Sequence, residues 1–588
     1  TQSTWGLSEW LANLLKLQFF STDRLAMMEG SPLSKLCIAA ASQSMENIDK
    51  WRKQRRTLDR LPSPLSNALL RCLHRRRLLF PSLLEVFKNS VDSIDISGDR
   101  NVDAEWLAYI GGFKCLQSLI LSDCHRINNS ALWPLIGMTE LKEIDLSRCT
   151  KLSDHGIKYV LAIPTLQTLR ISQTSVTEEG VSSLIALKNL SVLELGGIPV
   201  TDQVLITLQA LSNLEHLDIW GSEITDVGAS TLSRFPKLRS LNIALTIVTS
   251  IPTLKSIESV NMSHCTITSL SSTSITRLVL SGSSLTNKKA LQSIDTSFLT
   301  YLDVSNSSFS DFFFLTGLKC LQYLDLASTS VEDSSLELIA IMGSTLKHLN
   351  LSKTKVTSKG VASLVGNVPM LQYFSLSQTL INDEVIPYVA LMPSLKSLNL
   401  SGTQIRGHDG EKKRSLEGLK CMGELESLNL EDTKVTEDGL KPLKAIQSLK
   451  KLFLKNGSLT DCSLHLMAYN YKLEYLCFCN AMVTDDGLGS FDPPKRLETF
   501  DISGCWLLSE DALLSFCGTH STIEVVHEIL EEYTRHHKRV VNSRQVRKTT
   551  CPIVSPHFVD QRVKYSREEL LTHQFSSSSV RLPRNHLP

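Results

Sequence analysis

The sequence predicts an α/β solenoid, a long parallel sheet assembled from one short unit used many times. Three observations carry that expectation. A hexad L-x-x-L-x-L recurs, as in LQTLRI from Leu166, LEHLDI from Leu214, LKHLNL from Leu346, LKSLNL from Leu395 and LESLNL from Leu425. Its copies lie mostly 24 or 25 residues apart. A V-T-x-x-G signal often follows, at Val176, Val356, Val435 and Val483. Within the hexad the alternation x-L-x-L has period two, which on a strand sends the leucines to one face and the x residues to the other. The Thr of the second signal is suited to N-cap the apolar run after it. Strand, turn and helix then repeat, and each unit buries its apolar face only by stacking on its neighbours.

Taken in chain order, residues 1–90 read as helices, with apolar runs such as WLANLL and LLFPSLLEVF, and are expected to form an N-terminal cap. Eighteen hexads follow, the first starting at Val91 and the last at Leu497, which places the solenoid over 91–522. Eighteen strands at ~4.8 Å spacing make a concave sheet on the order of 80 Å long. Two intervals shrink to 19 and 18 residues, around SIPTLKSIESVNMSHCTITSL. Units that short leave no room for a convex helix, so curvature is expected to change there. One interval grows to 30 through a charged insertion near RGHDGEKKRS, expected on the surface. Residues 523–588 are expected to be a basic, largely disordered tail.

Eight residues after the first leucine the units carry small hydrogen-bonding groups, among them Cys124, Cys149, Thr174, Ser222, Thr246, Cys265, Thr354 and Cys505. This pattern resembles the cysteine-containing and ribonuclease-inhibitor-like intracellular leucine-rich repeats. It lacks the I-P and N-x-L-x-G signature of plant extracellular receptor repeats. The resemblance implies a leucine-rich-repeat solenoid of about 18 repeats, with a protein-binding concave face and a place inside the cell. The sequons at Asn350 and Asn399 fall inside strands and are expected to arise from the repeat, not from glycosylation.

Composition agrees with a globular chain, 42% apolar and 21% charged over 588 residues. The net charge of +1 hides an asymmetry: residues 1–90 and 536–588 each carry +7, so the 445 residues between them sum to −13. None of the 14 cysteines forms a C-x2-C pair, so no zinc site or thioredoxin-type motif is expected. No apolar run reaches the ~18 residues that span a bilayer. A soluble protein of the cytoplasm is expected, with the nucleus as second choice; the basic run KWRKQRR reads as a solvated helix face ahead of a nuclear signal.

A P-loop, G-x-S-x-G, H-E-x-x-H and paired metal-ligand spacings are all missing from the sequence, so no catalysis, cofactor, metal or small-molecule substrate is expected. His536 and His537 sit in a basic run and read as a solvated face. On the concave face the third hexad position reads Tyr301, Tyr323, His348, Tyr373 in consecutive units. Equivalent positions of neighbouring strands stand side by side, so these four should form one aromatic row. Such a row either anchors a partner or stabilises itself as a cross-strand ladder. Acidic residues recur at the fifth position (Asp145, Glu194, Asp218, Asp303, Asp325, Asp501), which disfavours nucleic acid.

Two linear motifs stand outside the repeats. PLSKLCIAAA, with Leu33 and Cys37, resembles an elongin-C-binding box, and LPSPLSNAL, with Leu61, Pro62 and Leu65, resembles the cullin box that follows it in ubiquitin-ligase substrate receptors. Cap helices match such loose patterns often. Near the other end, KYSREELLTHQF holds Ser566 and Glu569 at capping-box spacing, with Tyr565 and Leu570 placed as a hydrophobic staple. A helix this short is marginal alone in water and needs a partner. Its Y-x-x-x-x-L-Φ string resembles the helix by which scaffold and regulatory proteins dock on translation initiation factor 4E, the mRNA cap-binding protein. That resemblance implies packing by Tyr565, Leu570 and Leu571, with electrostatic support from Arg567.

Overall fold

The computed structural model describes residues 61–270, 275–286, 296–408 and 415–530, together with Ile38. These fall into two compact units divided between Val248 and Thr249. Leu33, Cys37 and the whole 565–571 motif lie outside the described residues.

The first unit opens with a helix, Ser63–Arg75, that buries Leu65, Leu69, Leu70 and Leu73 on one face. Proline in its first turn needs no amide partner there, and His74 and Arg75 sit favourably against the carboxyl end of the helix dipole. Each buried leucine contributes about 2 kcal/mol of apolar burial. Two polar contacts tie this helix to the first repeat: Asn67 donates to Asp92 at 2.6 Å, and His74 Nε2 meets Asp99 at 3.2 Å. A 3₁₀ helix, Pro81–Phe87, adds Leu83, Leu84, Val86 and Phe87 to the same core.

Seven three-residue strands follow, from Ser93–Asp95 to Ser240–Asn242, each pairing in parallel register with the next. The expected hexads therefore place their middle leucines in one column, Ile94, Leu119, Ile144, Leu169, Leu193, Leu217 and Leu241, essentially without solvent exposure. Short helices such as Asp154–Val160 and Asp202–Leu208 run back along the outer side.

The second unit pairs twelve further strands in sequence among the described residues, from Ser259–Asn261 through Glu524–Val526. Each of the eighteen expected hexads across the two units yields a strand. The last strand is a nineteenth, pairing Thr499–Asp501 with Glu524–Val526 and carrying the sheet past residue 522, where the leucine pattern ends. In the two shortened repeats the outer side is β rather than helical: Ser250–Ile251 pairs with Ser269–Leu270, and Thr266–Ile267 with Ser284–Leu285. Eighteen or nineteen residues close a turn only if the outer segment is extended.

Two features set the repeat geometry beyond the leucines. Seven residues after the first hexad position the chain turns through the left-handed region, at Asp123, Arg148, Gln173, Leu245, Lys353 and Gln378 among others. There the amide donates to the next repeat, as Asp123 does to the Ser147 carbonyl at 2.9 Å and Arg148 to that of Ser172 at 2.8 Å. The V-T-x-x-G signal has a second use as well. Thr357 occupies the N-cap position without capping its own helix. Its amide and hydroxyl instead donate to the Asp333 carboxylate one repeat earlier, at 2.8 and 2.6 Å. Asp202 holds Thr225 in the same way, at 2.8 and 2.6 Å. The glycine makes room for this clasp, since a Cβ at Gly360 would lie 2.3 Å from Asp333 Oδ1.

Candidate functional site

The concave face of the second unit carries the aromatic row at the register positions expected. Tyr301 pairs with Tyr323, Tyr323 with His348, and His348 with Tyr373. Their ring centroids are 4.0, 4.0 and 4.1 Å apart, with interplanar angles of 8°, 17° and 6°. Strands are spaced about 4.7–4.9 Å, so the rings lean toward one another to reach stacking distance. All four are half-buried. The faces of Tyr323 and His348 are each covered by two neighbours, which leaves ring edges, not faces, to a ligand.

One member of the row was missed in the sequence because it is not aromatic. Arg277, one strand before Tyr301, lays its guanidinium carbon 3.5 Å from the centre of the Tyr301 ring. The signal was its column: it stands at the third hexad position like the others. At the other end Ser397 pairs with Tyr373 and closes the row.

The electrostatics follow from partial burial. Burial pushes the His348 pKa down to about 4, so the imidazole is neutral at physiological pH, and its Nδ1 is buried without a partner. Burial also pushes the Tyr323 phenol up, helped by Tyr301 beside it and by Asp325 and Asp303. Asp325 is itself raised by desolvation. Its carboxylate accepts from the Ala327 amide at 2.9 Å and from Asn350 at 3.0 Å. The row is therefore neutral hydroxyl and imidazole, lined by carboxylates and capped at one end by a guanidinium.

In the first unit the fifth-position acids are broken by Arg170, which is ion-paired with Glu143 and, at 2.9 Å, with Glu194. Asp218 there is raised by desolvation. The small residues of the eighth position act in two ways. Cysteines reach back one repeat, Cys124 to the Ile96 carbonyl at 3.4 Å and Cys149 to that of Leu121 at 3.3 Å. Threonines turn onto their own repeat, as Thr354 does onto the Leu351 carbonyl at 2.6 Å. Burial pushes the Cys124 and Cys149 thiols up to about 12, and they remain neutral packing groups. Of the N-terminal box residues, Leu61 and Pro62 are half-buried, and Leu65 is 8% exposed within the cap core.

Fold and repeat together are those of a leucine-rich-repeat solenoid. Residues 210–233 and 344–365 match the family model for the leucine-rich repeat. Among solved structures, a Listeria monocytogenes internalin is similar at 21% identity, over 64% of this chain and 94% of that one, with a TM-score of 0.35. A chain of the mouse RP105/MD-1 complex is similar at 15% identity over 76% and 81%, with a TM-score of 0.49. A Leptospira interrogans leucine-rich-repeat protein is similar at 17% over 76% and 98%, with a TM-score of 0.37. No curated protein matches the sequence. Among the described residues no helix is long and apolar enough to cross a membrane.

Proposed function

We propose that this chain is a non-enzymatic, translation-regulating adaptor of the cytoplasm. Its solenoid binds one protein along the Tyr301–Tyr323–His348–Tyr373 row, and its 565–571 helix docks on translation initiation factor 4E. The row supports the first half: four half-buried rings stacked on one another lose little entropy on binding and offer polar ring edges as anchors. The doubly specified helix start at Ser566 and Glu569 supports the second, by the helix-in-groove mode. In this combination the chain resembles CERES, a plant leucine-rich-repeat protein that binds the cap-binding factor.

The rival reading, a ubiquitin-ligase substrate receptor, rests on the two N-terminal boxes. Burial of Leu65 in the cap core weighs against it, because a box residue must face its partner.

The test is titration of the full chain with purified factor 4E. Micromolar or tighter binding is expected. Replacing Leu570 and Leu571 by Ala should abolish it, since each truncated anchor costs ~2 kcal/mol or more, roughly thirtyfold. Ser566→Ala should weaken binding perceptibly less, by one cap worth ~1 kcal/mol. Binding indifferent to the leucine pair, or recovery of elongin and cullin without factor 4E from lysate, would overturn the assignment. For the solenoid, the triple change Tyr301, Tyr323 and Tyr373 to Ala should cost a protein partner while leaving the melting temperature near that of the parent. A triple variant that unfolds would make the row a structural ladder.

A further inference from the structure

Four acidic or thiol side chains converge on the concave face of the second unit, away from the aromatic row. Cys477 and Cys479 share the strand Tyr475–Cys479, and a spacing of two on a strand turns both thiols to the same face. Their sulfurs are 3.2 Å apart, at 4% and 6% exposure. Asp501 on the next strand brings a carboxylate oxygen into the cluster, all three ligand atoms lying within 4.8 Å of one another. Glu431, two repeats back, places Oε1 3.5 Å from the Cys477 sulfur.

The carboxylates are held for this. Asn429 donates to Glu431 Oε2 at 3.0 Å and leaves Oε1 toward the thiol. Asp501 Oδ1 accepts from the Ser503 amide at 3.0 Å and its hydroxyl at 2.6 Å, which fixes the orientation of the group. None of the four is in an ion pair among the described residues; the nearby Lys455 turns to Asp432, at 3.7 Å. Two buried thiols here stand against two carboxylates.

We propose that Cys477, Cys479, Asp501 and Glu431 form a structural zinc site that joins three repeats across the concave sheet. Zinc takes four ligands tetrahedrally, with Zn–S about 2.3 Å and Zn–O about 2.0–2.2 Å, so ligand atoms on its edges lie about 3.5–3.8 Å apart. The Cys477–Glu431 separation of 3.5 Å already fits, the thiol pair needs to open by about half an ångström, and the Asp501 and Glu431 carboxylates close on the remaining edges when the ion enters. Both thiols lose their protons to solvent on binding, and the thiolate lone pairs form the Zn–S bonds. With four protein ligands the sphere is closed, the mark of a structural site and not a catalytic one.

The test uses the reduced full-length chain with Co²⁺ as spectroscopic probe and Zn²⁺ as competitor. Expected are a thiolate-to-cobalt charge-transfer band at one equivalent, its loss on adding Zn²⁺, release of about two protons per Zn²⁺ in calorimetry across buffers, and a raised melting temperature. C477S/C479S should lose the band, and Asn429→Ala should weaken Zn²⁺ by roughly ten- to a hundredfold. If the double variant does not fold, D501N and E431Q carry the test, each expected to weaken Zn²⁺ at least as much as Asn429→Ala. A band that survives in C477S/C479S comes from other cysteines and overturns the site. So does the lack of any band, or Zn²⁺ affinity unchanged in D501N and E431Q.

Discussion

Leu245 is held at φ 57° and its side chain is 55% exposed. The left-handed region costs an L-residue roughly 1–2 kcal/mol, and here little buried apolar area offsets that cost. Gly197, Gly221 and Gly282 stand at the same corner in other repeats without strain. Leu245→Gly is therefore expected to raise stability by about 1 kcal/mol, read as a higher urea midpoint. His348 gives a pH signature. Its folded pKa of about 4 lies below the ordinary 6.5, so the unfolded chain binds the proton more readily between those values. Its contribution is fully present above pH 6.5 and is lost as pH falls toward 4. His348→Phe keeps a ring in the stack and removes the titration. The stability of the parent relative to this variant should decline over that window, and a constant difference would count against the burial argument.

At the scale of elements, the clasp from Asp333 to Thr357 is the joint between successive repeats. Removing the carboxylate leaves a part-buried amide and hydroxyl without their acceptor, so Asp333→Ala should cost about 1–3 kcal/mol and expose the Thr357 amide to exchange. Gly360→Ala should have a similar effect by pushing the carboxylate out. Sequence made the eighteen hexad strands legible because buried leucines at period two leave few alternatives. It hid the nineteenth, where Thr522, Val525 and His527 stand at the leucine positions and a buried imidazole fills the last slot. The left-handed corners were hidden because Asp, Arg, Gln and Leu all occupy them: the topology imposes that backbone against propensity. Threonine caps its own helix as read at Thr436 and Thr484, whereas its clasp was hidden because the distance to an aspartate one repeat earlier is invisible along the chain. The thiol pair escaped because C-x2-C is the spacing of a turn, whereas a strand aligns C-x-C. The aromatic row was legible, since one column of a parallel in-register sheet can be read straight from equivalent positions.

At the scale of the molecule, stability in a solenoid is a sum of repeat and nearest-neighbour terms. The shortened repeats replace outer helices by two-residue strand pairs, Ser250–Ile251 with Ser269–Leu270 and Thr266–Ile267 with Ser284–Leu285. Fewer amides and less apolar area are secured there. Hydrogen exchange should accordingly be faster across 249–286 than across 346–405, and unfolding monitored by exchange should not be a single cooperative step. Uniform protection along the chain would count against it.

Parallel in-register pairing also makes chain length an editable quantity. Every repeat offers its successor the same column of buried apolar side chains. Excising residues 346–370, one whole module, would set Tyr323 directly beside Tyr373. The row would shorten by one ring without a break. Tandem duplication of the same module would lengthen it by one. In such a chain the reach of a binding strip is counted in copies, and a lineage can lengthen or trim its grip without inventing a new contact.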